Sequence, residues 1–278
     1  MTCLNRAANL NVENLYEYDK ENPCGRGRYA TVYRAKRRDS SCGLTNGYSC
    51  AVKIIDKSKF WGRVANGVER ADTLVRETAV QATLSAQHGQ RPFLKLQSFF
   101  ETSESVVIET ELLEGTDLFH YISKKGVLEE DEASNFAFDL LTSLETMNRL
   151  GLAHRDVKPA NILMCDKEKD GVFVKLGDFG MSTFVGVDGL VRGRCGTPGY
   201  VAPEIFEAGV HRGYGNQVDV FSAGVTLYVM LCGYEPFYGE SDAELIAANR
   251  QAELDFPNEE WGASKCFLVG ACVAKGRN

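Results

Sequence analysis

The stretch His154-Arg155-Asp156-Val157-Lys158-Pro159-Ala160-Asn161 indicates the fold and the chemistry of this chain more clearly than any other part of the sequence. It brings a carboxylate, an ammonium and an amide together at Asp156, Lys158 and Asn161, just after a long predicted helix over residues 130–149. Such groups can accept a proton, neutralise developing negative charge and supply an oxygen ligand to a metal ion. A polar loop that only connects two elements does not require these side chains in this register. The stretch therefore has the composition of a catalytic loop.

A glycine-rich segment and a lysine within a strand precede this loop. Residues 25–32, Gly-Arg-Gly-Arg-Tyr-Ala-Thr-Val, lie between two strand-like runs, and glycine lets backbone N–H groups approach phosphate oxygens closely. Lys53 lies inside the apolar run at residues 51–55. Taken alone, the glycines are more typical of a plain hairpin, and the lysine of a strand surface. Their order relative to residues 154–161 makes them informative.

Further motifs follow the loop. Asp178-Phe179-Gly180 comes after the strand-like residues 172–177, then Cys195-Gly196-Thr197-Pro198-Gly199-Tyr200 and Ala202-Pro203-Glu204, and Asp219 opens an apolar helix. Asp-Phe-Gly alone is a common turn. The ordered set resembles the motifs of eukaryotic protein kinases of the Ser/Thr type and covers residues 25–239. Residues 196–204 and 233–237 are most similar to the calcium/calmodulin-dependent kinase group and its plant relatives.

The resemblance implies a role for each matching residue, with ATP and Mg²⁺ as cofactors. The implied catalytic residues are Asp156, Lys158, Lys53 and Glu77. The implied Mg²⁺ ligands are Asn161 and Asp178. The implied nucleotide-binding residues are Gly25, Arg26, Gly27, Val32, Ala51, Lys53, Glu111, Leu113, Asp117 and Leu163, with Thr110 at the gatekeeper position. The implied substrate-docking residues are Gly196, Thr197 and Pro198. The apolar members of this set would be core residues in any fold.

The order of predicted elements indicates an α+β, bilobal protein-kinase-like fold. A small antiparallel β-sheet with one helix is expected to form the N-lobe, and a mostly helical C-lobe is expected to follow. The predicted domains are a short tail over residues 1–15, an N-lobe over 16–110 and a C-lobe over 111–278, with a hinge near residues 111–115. A further helix is predicted over residues 263–274.

Composition and charge indicate which partners and which cellular compartment to expect. The chain has 278 residues, a net charge of −7 and nine cysteines without a Cys-x-x-Cys pair. The acidic balance argues against nucleic-acid binding, and the scattered cysteines indicate reduced thiols in the cytoplasm or nucleus. We predict no zinc site, signal peptide or membrane segment. The expected partners are protein substrates with Ser or Thr acceptors, and the sequence carries no signal for an oligomeric state.

The chain departs from the kinase pattern at several positions. Ala30 replaces the third glycine, and Gln81 occupies a helix position that is usually apolar, so we expect it to be partly hydrated or our helix register to be shifted. Gly193 stands where an activating phosphosite is usual, so Arg155 lacks the expected phosphate partner. We therefore predict that activity does not require phosphorylation at the standard position.

The end of the chain raises an alternative. The resemblance implies that the final C-lobe helices, and the arginine expected to pair with Glu204, lie beyond Asn278. The leading hypothesis is an active Mg²⁺- and ATP-dependent Ser/Thr kinase. The alternative is a catalytically impaired, pseudokinase-like binding module whose C-lobe is truncated. A small-molecule kinase is disfavoured because residues 196–204 resemble a peptide-docking segment.

Overall fold

The computed structural model describes residues 11–38, 48–87, 92–167, 171–207 and 212–256. The chain divides into two compact units. The first unit comprises Met1–Gln87 and Leu94–Leu113, and the second comprises His88–Phe93 and Glu114–Asn278. The predicted helix over residues 263–274 lies outside the described residues. Within the described ranges, each helix is too short or too polar to span a bilayer.

An antiparallel sheet dominates the first unit. Its strands are β1 (Tyr16–Tyr18), β2 (Gly25–Arg26), β3 (Ala30–Arg37), β4 (Ser49–Asp56), β5 (Leu96–Glu101) and β6 (Ser105–Glu111). They follow the order β1-β3-β4-β6-β5, with β2 paired to β3. The helices of this unit are α1 (Val12–Leu15), α2 (Lys57–Ala65) and α3 (Thr73–Ser85). The unit thus contains α1 and α2 in addition to the one predicted helix.

Alternation along the strands gives this sheet two apolar faces. On one face, Ala30 and Ile55 pack with Phe60 of α2 and Leu74 of α3. On the other face, Cys50 and Val52 pack with neighbours that include Val12 of α1. Residues 12–15, assigned to a tail by the sequence analysis, therefore form a helical turn against the sheet.

Helix α2 was not predicted because it is short and mostly polar. Asp56 caps its first turn by accepting a hydrogen bond from the Lys59 N–H at 3.0 Å. Phe60 supplies its one fully buried side chain. The helix forms because it caps well and buries that ring, rather than through a visible apolar stripe.

Helices make up most of the regular secondary structure among the described residues of the second unit. They are α4 (Leu118–Lys125), α5 (Glu130–Arg149), α6 (Pro203–Glu207), α7 (Val218–Cys232) and α8 (Asp242–Gln251). Short antiparallel pairs join β7 (Leu152–Ala153) to β10 (Thr183–Phe184), and β8 (Ile162–Lys167) to β9 (Gly171–Leu176). Helix α7 is buried along almost its whole length, and α5 packs against it along one stripe. These elements confirm the predicted α+β class.

Candidate active site

One face of the first unit's sheet carries three of the predicted nucleotide-binding residues. Ala51 and Lys53 are two residues apart on β4 and therefore point to the same face. The antiparallel register sets Val32 of β3 directly opposite Lys53. The structure thus brings Val32, Ala51 and Lys53 together, with Val32 and Ala51 half-buried. Such a surface offers an apolar patch beside a cation.

A carboxylate from α3 reaches this cation. The Lys53 Nζ lies 2.5 Å from Oε1 of Glu77, and the Glu77 side chain is only 3% exposed, whereas that of Lys53 is 23% exposed. Pairing holds the lysine in a defined position while part of its side chain stays accessible. A buried carboxylate that lost this partner would carry an uncompensated charge, so the pair is sensitive to substitution on either side.

The glycine-rich segment forms a closed turn. Gly25 and Arg26 pair with Val32 and Thr31, and the Gly27 N–H donates to the Ala30 carbonyl at 2.7 Å. Ala30 points away from the turn into the cluster with Ile55 and Phe60. The alanine that replaces a glycine is therefore a core residue here, which explains why a methyl group is accommodated.

The predicted hinge residues lie at the end of β6. Thr110 is buried and pairs with Ala51, and Glu111 pairs with Cys50. The Glu111 N–H donates to the Lys95 carbonyl at 3.0 Å, so a ligand contact by Glu111 would have to use its carbonyl oxygen. Leu113 follows and is half-buried.

The structure corrects the expectation that Gln81 is partly hydrated. Its side chain is 4% exposed, and its Nε2 donates to the Leu94 carbonyl at 3.4 Å. The position is therefore dry and the predicted helix register is right. The amide is accommodated because one backbone carbonyl is within reach, although the bond is long.

In the second unit, a buried aspartate shapes the catalytic loop. Asp219 of α7 accepts hydrogen bonds from the backbone N–H groups of His154 and Arg155, each at 2.7 Å. Burial raises the pKa of the Asp219 carboxyl, and these N–H donors oppose that shift. Arg155 has a φ of 68°, which few non-glycine residues adopt. The carboxylate thus stabilises a strained turn immediately before Asp156.

Asp156 lies in a compact polar network. Its Oδ1 accepts a hydrogen bond from the Thr197 hydroxyl at 2.6 Å. Its Oδ2 lies 2.9 Å from Lys158 Nζ and accepts from Asn161 Nδ2 at 3.0 Å. Lys158 also donates to the Thr197 hydroxyl at 2.6 Å. The structure therefore brings together four predicted residues from two separate motifs around one buried carboxylate.

Asn161 and Asp178 lie at the same end of the β8–β9 hairpin. Asn161 immediately precedes β8, whose first residue pairs with the last residue of β9, and Asp178 follows two positions later. The Gly177 N–H donates to the Asn161 carbonyl at 2.9 Å. Because the Asn161 Nδ2 is engaged with Asp156, its amide oxygen is the atom left for a metal. An amide oxygen beside an exposed carboxylate suits a hard cation such as Mg²⁺.

The predicted docking residues form a tight loop beside Arg155. Gly196 has a φ of 115°, and a Cβ there would lie 2.6 Å from Val201 Cγ2 and 3.1 Å from the Arg155 carbonyl. Only glycine fits this approach. Thr197 follows with its hydroxyl on Asp156, and Pro198 is exposed. The loop thus presents Pro198 outward and Thr197 inward.

Asp117 and Leu163 occupy a different setting from the catalytic network. They form an isolated antiparallel bridge. The Asp117 carboxylate caps α4 by accepting from the His120 N–H at 2.8 Å, and it also contacts the His120 ring. Asp117 therefore already serves a structural purpose, and its predicted ligand contact would compete with this cap.

His154 has a role that was not predicted from the sequence. Its ring Nε2 lies 3.0 Å from the Gly177 carbonyl, and the ring packs edge-on against Phe179 at 5.5 Å. His154 therefore links the catalytic loop to the Asp178 segment. The sequence signal for this role was the place of His154 as the first residue of the motif at residues 154–161.

Comparison with known proteins assigns the family. A family model described as "Protein kinase domain" matches residues 18–265. Myosin light chain kinase A of Dictyostelium discoideum is 32% identical over 90% of this chain and 78% of that protein. Calcium/calmodulin-dependent protein kinase type 1 of Macrobrachium nipponense is 35% identical over 85% of this chain and 63% of that protein. Calcium-dependent protein kinase 29 of Arabidopsis thaliana is 32% identical over 91% of this chain and 43% of that protein.

This chain belongs to the protein kinase family, and it is a serine/threonine kinase related to the calcium/calmodulin-dependent kinase group. The predicted family and enzyme class are confirmed, and nothing in these comparisons favours the pseudokinase alternative. The relationship implies protein substrates.

Proposed function

We propose that this chain transfers the γ-phosphoryl group of ATP, in the presence of Mg²⁺, to serine or threonine hydroxyls of protein substrates. The observation that carries the proposal is the network in which Thr197, Lys158 and Asn161 all contact the Asp156 carboxylate. This arrangement fixes a base and a cation next to each other, as in-line phosphoryl transfer requires.

Asp156 would orient the acceptor hydroxyl. In the reaction, the hydroxyl oxygen forms a bond to the γ-phosphorus, the bond from that phosphorus to the bridging oxygen breaks, and ADP leaves. The hydroxyl proton passes to the Asp156 carboxylate. Lys158 stabilises the charge that develops on the transferred group, since its ammonium lies within 3 Å of Asp156. Positioning and charge, rather than covalent catalysis, supply most of the acceleration.

Lys53 would bind the phosphates that do not transfer. Its pairing with Glu77 limits the positions that the ammonium can occupy, and the accessible part of its side chain can contact phosphate oxygens. The backbone of residues 25–27 would approach the same phosphates, and Val32 and Ala51 would contact the adenine ring. This pairing would favour nucleotide binding, because the Lys53 ammonium is already held in position and needs no rearrangement when the nucleotide binds.

Asn161 and Asp178 would hold the metal ion through their oxygen atoms. When bound, Mg²⁺ neutralises phosphate charge and holds the phosphate chain in one geometry. In this chain, Asn161 is oriented by its hydrogen bonds to Asp156, and the segment before Asp178 is fixed by the bond between Gly177 and Asn161. The two proposed metal ligands, Asn161 and Asp178, are thereby connected to Asp156, the proposed base.

A nucleotide-binding measurement and a transfer assay together test this function. We expect Mg·ATP to raise the melting temperature of the chain, and radiolabel from γ-labelled ATP to enter a Ser/Thr peptide pool. An Asp156→Asn variant should keep nucleotide binding and lose transfer by about 100-fold or more, the scale of a general base. Binding with transfer no higher than in Asp156→Asn would instead identify a binding module.

A further inference from the structure

Tyr214 connects the loop before α7 to the activation segment, the stretch 178–204. Its side chain is 4% exposed. Its backbone forms a bridge with Val191, with N–H to carbonyl distances of 2.8 and 3.0 Å. Its hydroxyl donates to the Gly193 carbonyl at 2.6 Å. Tyr214 therefore holds the activation segment at Val191 and at Gly193.

Arg155 holds the same segment through its side chain. Its guanidinium donates from Nε to the Met181 carbonyl at 2.8 Å and from Nη1 to the Arg192 carbonyl at 3.2 Å. Arg192 lies between Val191 and Gly193, the two residues that Tyr214 contacts. Tyr214 and Arg155 together therefore hold three consecutive residues of the segment.

These contacts lie on both sides of the catalytic carboxylate. Arg155 directly precedes Asp156. Gly193 lies only a few residues before Thr197, whose hydroxyl bonds to Asp156. Gly196, which lies between Gly193 and Thr197 in the chain, fits against the Arg155 carbonyl so closely that no side chain is accommodated. Since Thr197 follows Gly193 by four positions and the intervening Gly196 is close-packed, we expect a shift of the Gly193 carbonyl to displace Thr197.

We propose that Tyr214 is a positioning residue for phosphoryl transfer: its hydroxyl holds the Gly193 carbonyl beside the Arg192 carbonyl that Arg155 binds, and thereby keeps Thr197 on Asp156. The proposal rests on the proposed function of the Asp156 site. Tyr214 itself touches neither nucleotide nor acceptor in this account. It acts through the segment that it anchors.

The direct test removes only the hydroxyl. Tyr214→Phe should lower kcat about fivefold, the size expected for the loss of one neutral hydrogen bond, and leave the KM for ATP unchanged. Tyr228→Phe is the matched control, since Tyr228 is also buried and its hydroxyl also bonds to a backbone carbonyl, that of Asp255 at 3.1 Å. The control should retain wild-type kcat.

Native-state proteolysis supplies a second measurement that does not depend on activity. Arg192 and Arg194 are exposed and lie in the anchored segment, so trypsin can report its opening. Tyr214→Phe should be cleaved after these arginines several-fold faster than wild type or Tyr228→Phe. If a variant melts earlier, the proteins are compared at the same interval below their own melting temperatures.

The outcomes separate this inference from the proposed function. If the wild-type chain transfers no phosphate, the proposed function fails, while the cleavage rates still test whether Tyr214 anchors the segment. Equal cleavage in all three proteins overturns the inference. A lower kcat in Tyr214→Phe without faster cleavage also overturns it, because the effect would then not act through the segment.

Discussion

The Thr197 hydroxyl lies 2.6 Å from Oδ1 of Asp156 and donates a hydrogen bond to it. Because the same hydroxyl accepts a hydrogen bond from Lys158, Thr197 holds the base and the cation in one arrangement. The proposed base is thus oriented by a residue far along the chain. Removing this hydroxyl should disturb catalysis more than folding.

We therefore predict that Thr197→Val lowers kcat by about tenfold or more, since the hydrogen bonds to Asp156 and from Lys158 are both lost while the side-chain shape is kept. Thr197→Ser should restore most of the activity. Thr226→Val is the control, because Thr226 is a buried threonine whose hydroxyl bonds to the Ser222 carbonyl within α7. Steady-state kinetics with a peptide substrate measures all three. Equal kcat in Thr197→Val and the control would contradict this role of Thr197.

Activity should not require phosphorylation of the activation segment. The Arg155 guanidinium already donates to the Met181 and Arg192 carbonyls, so no phosphate is needed to satisfy it. Bacterially produced protein treated with phosphatase should therefore have the same kcat as untreated protein, with complete dephosphorylation checked by mass spectrometry. An absolute dependence on an upstream kinase would be incompatible with this prediction.

The buried carboxylate of Glu109 should contribute strongly to stability. It is fully buried on β6 and accepts hydrogen bonds from Tyr16, Tyr48, Ser98 and Arg37. Glu109→Gln removes the charge that compensates Arg37, so we expect the free energy of unfolding to fall by about 3 kcal/mol. Chemical denaturation of the full chain measures it.

Glu104→Gln is the matched control for that substitution. Glu104 is exposed on the turn between β5 and β6, and the same change there should alter the free energy of unfolding by less than about 0.5 kcal/mol. Similar losses at both positions would show that the hydrogen-bonded network around Glu109 adds no stability.

Alkaline pH should weaken the contribution of Tyr48. Burial and the hydrogen bond to Glu109 raise the pKa of Tyr48 from 10.0 to about 12. A folded-state pKa above the unfolded value means that the stabilisation is complete below pH 10 and is lost as pH rises toward 12. Tyr48→Phe should thus be less stable than wild type at pH 8, and the difference should shrink between pH 10 and 12. A constant difference across this range would contradict the assignment.

The sequence was sufficient to predict the strands and helices whose apolar residues repeat with a clear period. Helix α5 has the predicted bounds, whereas β3, β4 and α3, which the pattern predicts at residues 28–36, 50–55 and 74–86, differ by one or two residues at each end. Helix α2 was missed because its stability comes from the Asp56 cap and the single buried ring of Phe60, neither of which produces a periodic pattern. The turn at residues 12–15 was missed because Val12 is its one fully buried residue, too few to produce a periodic pattern.

The candidate site was predictable where motif residues contact one another. Lys53 with Glu77, and Asp156 with Lys158, Asn161 and Thr197, are such cases. Tyr214 was not predictable, because its bonds to Gly193 and Val191 depend on how two distant loops meet. The burial of Gln81 was likewise hidden, since a carbonyl acceptor such as that of Leu94 has no sequence signature.

The most direct test of the account is phosphoamino-acid analysis of a mixed peptide pool incubated with γ-labelled ATP, Mg²⁺ and either the 278-residue chain or its Asp156→Asn variant. We predict label on serine and threonine with the wild-type chain, and a loss of about 100-fold or more with the variant. Label on tyrosine alone, or equal labelling by both proteins, would contradict the assignment of Asp156 as the base of a serine/threonine kinase.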